Sequence, residues 1–79
     1  MDLFDKLFVI RRLLSLSQKE AAEQAGIKQP IISILERGER DDIPTAYIEF
    51  LYKSGIDLNW VFNEDTDVAN VFRKKATTY

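Results

Sequence analysis

The stretch from residue 16 to residue 38, LSQKEAAEQAGIKQPIISILERG, constrains this chain more than any other part of it. Ser17 stands where a helix cap belongs and Glu20 follows three residues later. Ser17-Gln18-Lys19-Glu20 therefore has the form of a capping box, in which each end residue's side chain takes the other's backbone amide. Ala21, Ala22 and Ala25 keep one face of that helix small, so a second helix can approach closely. Gly26 reaches the left-handed backbone that ends a helix without a steric penalty. Beyond it Ile27, Ile31 or Ile32, and Leu35 return at helical spacing as far as Glu36, and Gly38 is the next stop signal. The spacing predicts two short helices, about 18–24 and 29–37, meeting across a glycine turn.

Composition limits what such a unit can serve. Seventy-nine residues allow one domain. A chain of this size buries only about 60% of its unfolded surface, so modest or dimer-assisted stability is expected. Histidine and cysteine are both absent, which removes disulfides, thiolate metal sites, and the commonest metal ligand and general base. With no glycine-rich phosphate loop and no carboxylate pair in a credible cleft, an enzyme is the poorest reading. No cofactor, metal or small-molecule substrate is expected. No apolar run nears the 18 or so residues of a membrane span, and the acidic start Met1-Asp2-Leu3-Phe4-Asp5 does not resemble a secretory signal. A soluble cytoplasmic protein is the expectation. The net charge is −2 and unevenly spread. Residues 1–40 carry seven Lys/Arg against six Asp/Glu, residues 41–67 one against seven, and the tail adds Arg73, Lys74 and Lys75.

The rest of the pattern is helical. Leu3, Leu7, Ile10 and Leu14 form a core stripe along a first helix, about 3–14. Phe4 and Phe8 make a second strip, read as a widening of that core face in preference to a partner surface. Residues 39–42 are a polar loop. Pro44 suits the first turn of a fourth helix running to Lys53, with Tyr47 or Ile48, Leu51 and Tyr52 as its apolar face. Ser54-Gly55 ends it. Asp57 can cap a fifth helix, 58–62. Residues 63–67 are an acidic break, and Val68, Ala69, Val71 and Phe72 form a late apolar patch. The fold class expected is all-α: a compact bundle of about five short helices around a central helix-turn-helix. Residues 1–66 form the domain, and 67–79 a tail that can add a short helix contributing to dimerisation.

Ser17-Gln18, Glu20, Ala22, Gly26-Ile27, Ile32 and Leu35-Glu36-x-Gly38 resemble the helix-turn-helix of lambdoid phage repressors and their bacterial relatives, the Cro/C1-type family. The runs from Ile43 to Ile48 and from Gly55 to Phe62 resemble the fourth and fifth helices of the repressor subgroup. The resemblance implies a domain that binds double-stranded DNA, reading the major groove with its third helix, as a homodimer on a palindromic operator. Base-reading candidates are Lys28, Gln29, Ser33 and Ile34. Lysine can donate to guanine, glutamine can pair with adenine, and isoleucine can touch a thymine methyl. Phosphate candidates are Gln18 and Lys19, at the positive end of the second helix, with Arg37 and Arg40 after the third. The resemblance pairs Arg11 with Glu36 in a buried salt bridge. Trp60, Val61, Phe62 and Phe72 are the candidate dimer surface. Lys28, Pro30, Ile31 and Ile34 depart from the family pattern. An apolar Ile31/Ile34 face suits a protein partner as well as DNA, so the alternative is an interaction module on the same fold, an antirepressor or antitoxin component.

Overall fold

In the computed structural model, which describes residues 1–74, most helix ends trace to a few local residues. The first helix, α1 (Leu3–Leu13), is capped by Asp2, which accepts from the Asp5 amide at 2.8 Å while the Asp5 carboxylate accepts from the Asp2 amide. This is a second capping box, closed by aspartate where glutamate is usual. α1 closes through Ser15, held at φ +58°, with the Leu16 amide reaching back to the Arg11 carbonyl. That turn delivers Ser17 to the start of α2 (Gln18–Ala25), where both bonds of its box are 3.0 Å. Gly26 sits at φ +72° and the Ile27 amide bonds the Ala22 carbonyl, the six-to-one bond of a Schellman stop. α3 (Gln29–Glu36) follows, with Lys28 at its cap making no side-chain bond there. Gly38 ends α3 at φ +71°, and a Cβ on it would meet the Phe4 ring at 3.4 Å, so both conformation and space favour glycine. α4 (Thr45–Lys53) follows Pro44, and α5 (Leu58–Phe62) is capped by Asp57, which accepts from the Asn59 amide. All five helices lie within a residue or so of their expected bounds, in an all-α bundle.

α3 packs on α1 and α2, α4 on α2, and α5 on α1 and α4. The core they enclose comprises Leu7, Ile10, Ala21, Ala22, Ile32, Leu35, Tyr47, Phe50, Leu51, Ile56, Trp60, Val61 and Val71. Leu3 and Leu14 sit at its margin. Two expectations about aromatic faces need correction. Phe4 packs against the core, but Phe8 is 43% exposed beside Arg11 and Arg12. On α4 the buried aromatic beside Tyr47 is Phe50, whereas Tyr52 is 53% exposed. At about 100° per residue, Phe8 and Tyr52 stand roughly 140° from their helices' core stripes, while Phe50 falls within its own.

The segment after α5 folds back on the bundle. Asp67 caps a 3-10 turn, Val68–Asn70. Val71 is fully buried, its carbonyl accepting from the Asp57 amide at 2.7 Å, and the Arg73 amide bonds the Gly55 carbonyl. These bonds pair Ile56 with Phe72 in an antiparallel bridge. The Trp60 indole N–H donates to the Asp67 carbonyl. Arg73 lies 4.0 Å over the Tyr52 ring and donates to that residue's carbonyl. The end of the expected tail, 75–79 with the cation Lys75, lies outside the described residues. Among those residues, no helix is long and apolar enough to cross a membrane.

Lys6 has no counterpart in the sequence reading. It is buried, its Nζ donating to the Trp60 and Asn63 carbonyls at 2.6 and 2.7 Å and lying 4.5 Å from the Trp60 ring centre. The ammonium thus satisfies carbonyls at the C-terminal end of α5, where a helix leaves acceptors unpaired.

Candidate nucleic-acid interface

α3 carries one face inward and another outward. Ile32 and Leu35 are buried, and Ile31 packs against the core. At about 100° per residue, Gln29, Pro30, Ser33, Ile34 and Arg37 fall together on the opposite side, over an arc of roughly 140°. Gln29, Pro30 and Arg37 are exposed, and Ser33 and Ile34 half-buried. Lys28, also exposed, precedes them at the cap. The four base-reading candidates therefore sit on the outward side of one helix or at its mouth.

Behind that face lies an ion pair. Arg11 Nε donates to Glu36 Oε2 at 2.7 Å and Arg11 Nη2 to Glu36 Oε1 at 2.9 Å, while Nη1 reaches the Leu16 carbonyl. Both side chains are at most 10% exposed. The bidentate fork fixes both planes, and the Glu36 bond holds the Arg11 guanidinium above its already high pKa. The bridge ties α1 and the α1–α2 turn to the end of α3. Tyr47 stands near both charges with its hydroxyl buried and unpartnered. Burial pushes the Tyr47 phenol up to about 12, with the Glu36 charge adding to the rise and Arg11 opposing it.

The phosphate candidates divide. Lys19 is exposed at the start of α2. Gln18 turns inward instead, its amide donating to Glu36 Oε1 at 3.3 Å. Arg37 and Arg40 are each held by a carboxylate two residues on. Arg37 Nε meets Glu39 at 2.8 Å, and Arg40 Nε meets Asp42 at 3.2 Å. Arg37 also donates to the Ser33 hydroxyl, tying a phosphate candidate to a base-reading one. These pairings were not legible beforehand, although acids at i+2 from both arginines were the available signal.

Of the four candidate dimer residues, Trp60 and Val61 are each 1% exposed and lie within the core, whereas Phe62 and Phe72 remain 57% and 43% exposed. A five-residue helix presents one apolar side inward, so Trp60 and Val61 enter the bundle and Phe62 is left outside.

Comparison with known proteins adds a sequence-level result to this geometry. The model of the helix-turn-helix family matches residues 9–46, from the second half of α1 through α2 and α3 to the first turn of α4. Searches of curated proteins and of solved structures found no match. The matched span, just under half of the chain, includes Arg11, Glu36 and the outward face of α3, and this similarity to the helix-turn-helix family supports a DNA-binding regulator in general terms.

Proposed function

We propose that this chain is a sequence-specific transcriptional regulator of the phage-repressor kind, a cytoplasmic repressor that reads the major groove with α3 as a homodimer on a palindromic operator. One observation carries the reading. The outward face of α3 gathers Gln29, Ser33 and Ile34 beside Lys28, on a helix whose inward face is locked to the rest of the bundle. A rigid helix presenting donors, acceptors and one aliphatic side chain has the chemistry that base edges require. Dimerisation doubles the contacts that one small domain can make, and exposed Phe62 and Phe72 are the apolar residues available to it.

Selection of bound sequences from a random duplex library tests this reading. A palindromic site with half-sites about one helical turn apart is expected. Gln29→Ala should then flatten preference at one base position per half-site, at a cost of about 1–3 kcal/mol there. Lys19→Ala, at the exposed start of α2, should weaken binding to every sequence alike, because a backbone contact carries no base information. Sedimentation should give two protomers per operator, and Phe62→Ser should lower that stoichiometry.

The interaction-module reading keeps one specific support: the outward arginines are paired with acids, and residues 41–67 are strongly acidic. Binding to DNA that is absent even at low salt would favour it.

A further inference from the structure

We propose that Glu39 and Asp42 are internal counter-ions that occupy Arg37 and Arg40 in the free protein and thereby set how strongly the chain holds DNA phosphate. The proposal rests on the DNA-binding reading above. Arg37 presents Nε and Nη2 to the two Glu39 oxygens at 2.8 and 3.4 Å, and Arg40 presents Nε and Nη2 to the two Asp42 oxygens at 3.2 Å each. Both contacts are side-on forks, the geometry in which arginine takes phosphate as readily as carboxylate. A phosphate that takes either arginine side-on, through Nε and Nη2, therefore displaces the carboxylate from the same donors.

The displacement is feasible because the pairs lie in water. Arg37 and Glu39 are each more than half exposed, and Asp42 is 74% exposed. Exposed pairs are weak and screened by salt, so they impede a duplex without blocking it. Exposed carboxylates are ionised at neutral pH, and hydrogen bonds from the arginines hold both carboxyls lower still. Among the described residues, this leaves Lys19 and Lys28 as the cations from α2 to the end of the following loop that have no carboxylate partner. Binding without sequence preference is almost wholly phosphate electrostatics, so the two carboxylates lower affinity for random DNA first. Arg37 also carries the effect to Ser33, because the guanidinium that Glu39 positions is bonded to the Ser33 hydroxyl. Glu39 and Asp42 are thus positioning residues, acting through their arginines.

The test measures the full chain on a mixed-sequence DNA duplex across a series of salt concentrations. Glu39→Gln and Asp42→Asn should each raise affinity about two- to fivefold. Each should also steepen the slope of log affinity against log salt by about 0.9, the share of one further phosphate contact. The Glu39→Gln gain should vanish in an Arg37→Ala background, and the Asp42→Asn gain in an Arg40→Ala background. Unchanged affinity and slope would overturn the proposal. So would a gain equally large without the arginine, because the acid would then act only through its own repulsion of DNA. Binding by the double variant Glu39→Gln with Asp42→Asn, where wild type binds none, would support the proposal. A duplex held by neither wild type nor double variant, even at low salt, would instead remove the DNA-binding reading on which it stands.

Discussion

Glu36 and Arg37 are neighbours in sequence, and each belongs to an arginine–carboxylate pair, yet the two pairs live in different media. Glu36 points inward, where it meets Arg11 with side chains at most 10% exposed. Arg37 points outward and meets Glu39 with both partners more than half exposed. Chemistry and hydrogen-bond geometry are nearly the same, so burial decides what each pair does. In the inner pair each charge has given up most of its water and depends on the other, which makes the pair a structural tie. The outer pair retains its water and can exchange partners, which suits a contact that must open for a ligand. One helix therefore ends in a fixed tie on one side and an exchangeable one on the other.

Removing the inner carboxylate should have the largest effect. Glu36→Ala leaves Arg11 charged in a mostly dry site and frees the Gln18 amide, so we expect a loss of about 3 kcal/mol, the lower end for a broken buried pair. A domain of this size has about 4–12 kcal/mol in total, so the melting temperature should fall steeply in a urea or thermal titration. Replacing both partners with apolar residues, Arg11→Met with Glu36→Leu, should recover much of that loss. If Glu36→Ala melts like wild type, the contrast between the two pairs has no energetic content.

The same contrast explains what was legible in the sequence. Helix ends were, because capping and glycine stops use residues a few positions apart: Ser17 with Glu20, Gly26, Gly38 and Asp57. The Asp2–Asp5 box escaped only because it closes with the shorter acid. Core stripes were legible where spacing follows one face, as in Leu7 and Ile10, and failed for Phe8 and Tyr52, whose aromatic rings suggest burial although their angular positions lie off the stripe. The Arg11–Glu36 pair came from a family resemblance and not from spacing, because its members are 25 residues apart. Lys6 was illegible altogether. Its partners are backbone carbonyls more than 50 residues away, and a carbonyl has no side-chain signature. The state of Arg37 and Arg40 also depended on rotamers: the acids beside them were visible, but not that each would close a fork.

Lys6 extends the comparison to a buried charge with no carboxylate. Lys6→Met keeps the apolar stem over Trp60 and removes three donors, so the Trp60 and Asn63 carbonyls lose their partner. A loss of about 2 kcal/mol is expected for unsatisfied buried acceptors. Trp60 is the sole tryptophan, and its emission should shift as the ammonium leaves its ring. A stable variant with unchanged emission would mean that the carbonyls find water without cost.

Tyr47 tests the polar edge of the inner pair and should matter less. Its hydroxyl is buried without a partner, so Tyr47→Phe should stabilise the fold at neutral pH by up to about 1 kcal/mol. The alkaline limb gives a second reading. The unfolded phenol releases its proton near 10.0 and the folded one near 12. A raised folded pKa contributes stability that is complete below pH 10 and is lost as pH rises toward 12, at up to about 1.4 kcal/mol per pH unit. Wild type should therefore lose stability across that window faster than Tyr47→Phe. Parallel alkaline limbs would mean that the hydroxyl reaches solvent.

The smallest effect on stability belongs to the outer pairs. Glu39 and Asp42 have their carboxyl pKa values lowered by Arg37 and Arg40. By linkage, a lowered folded pKa contributes stability above the unfolded value and loses it as pH falls through the folded one. The groups stand in water, however, and the salt that screens each pair stabilises the separated charges almost as well. The double variant Glu39→Gln with Asp42→Asn should therefore melt with wild type at neutral pH and follow the same acid limb down to pH 3. Its hold on DNA should nevertheless change, because the arginines it releases face a phosphate-bearing ligand rather than the core. A large drop in its melting temperature would show that the outer forks also support the α3–α4 loop. Fixed and exchangeable ties would then be extremes of one structural role.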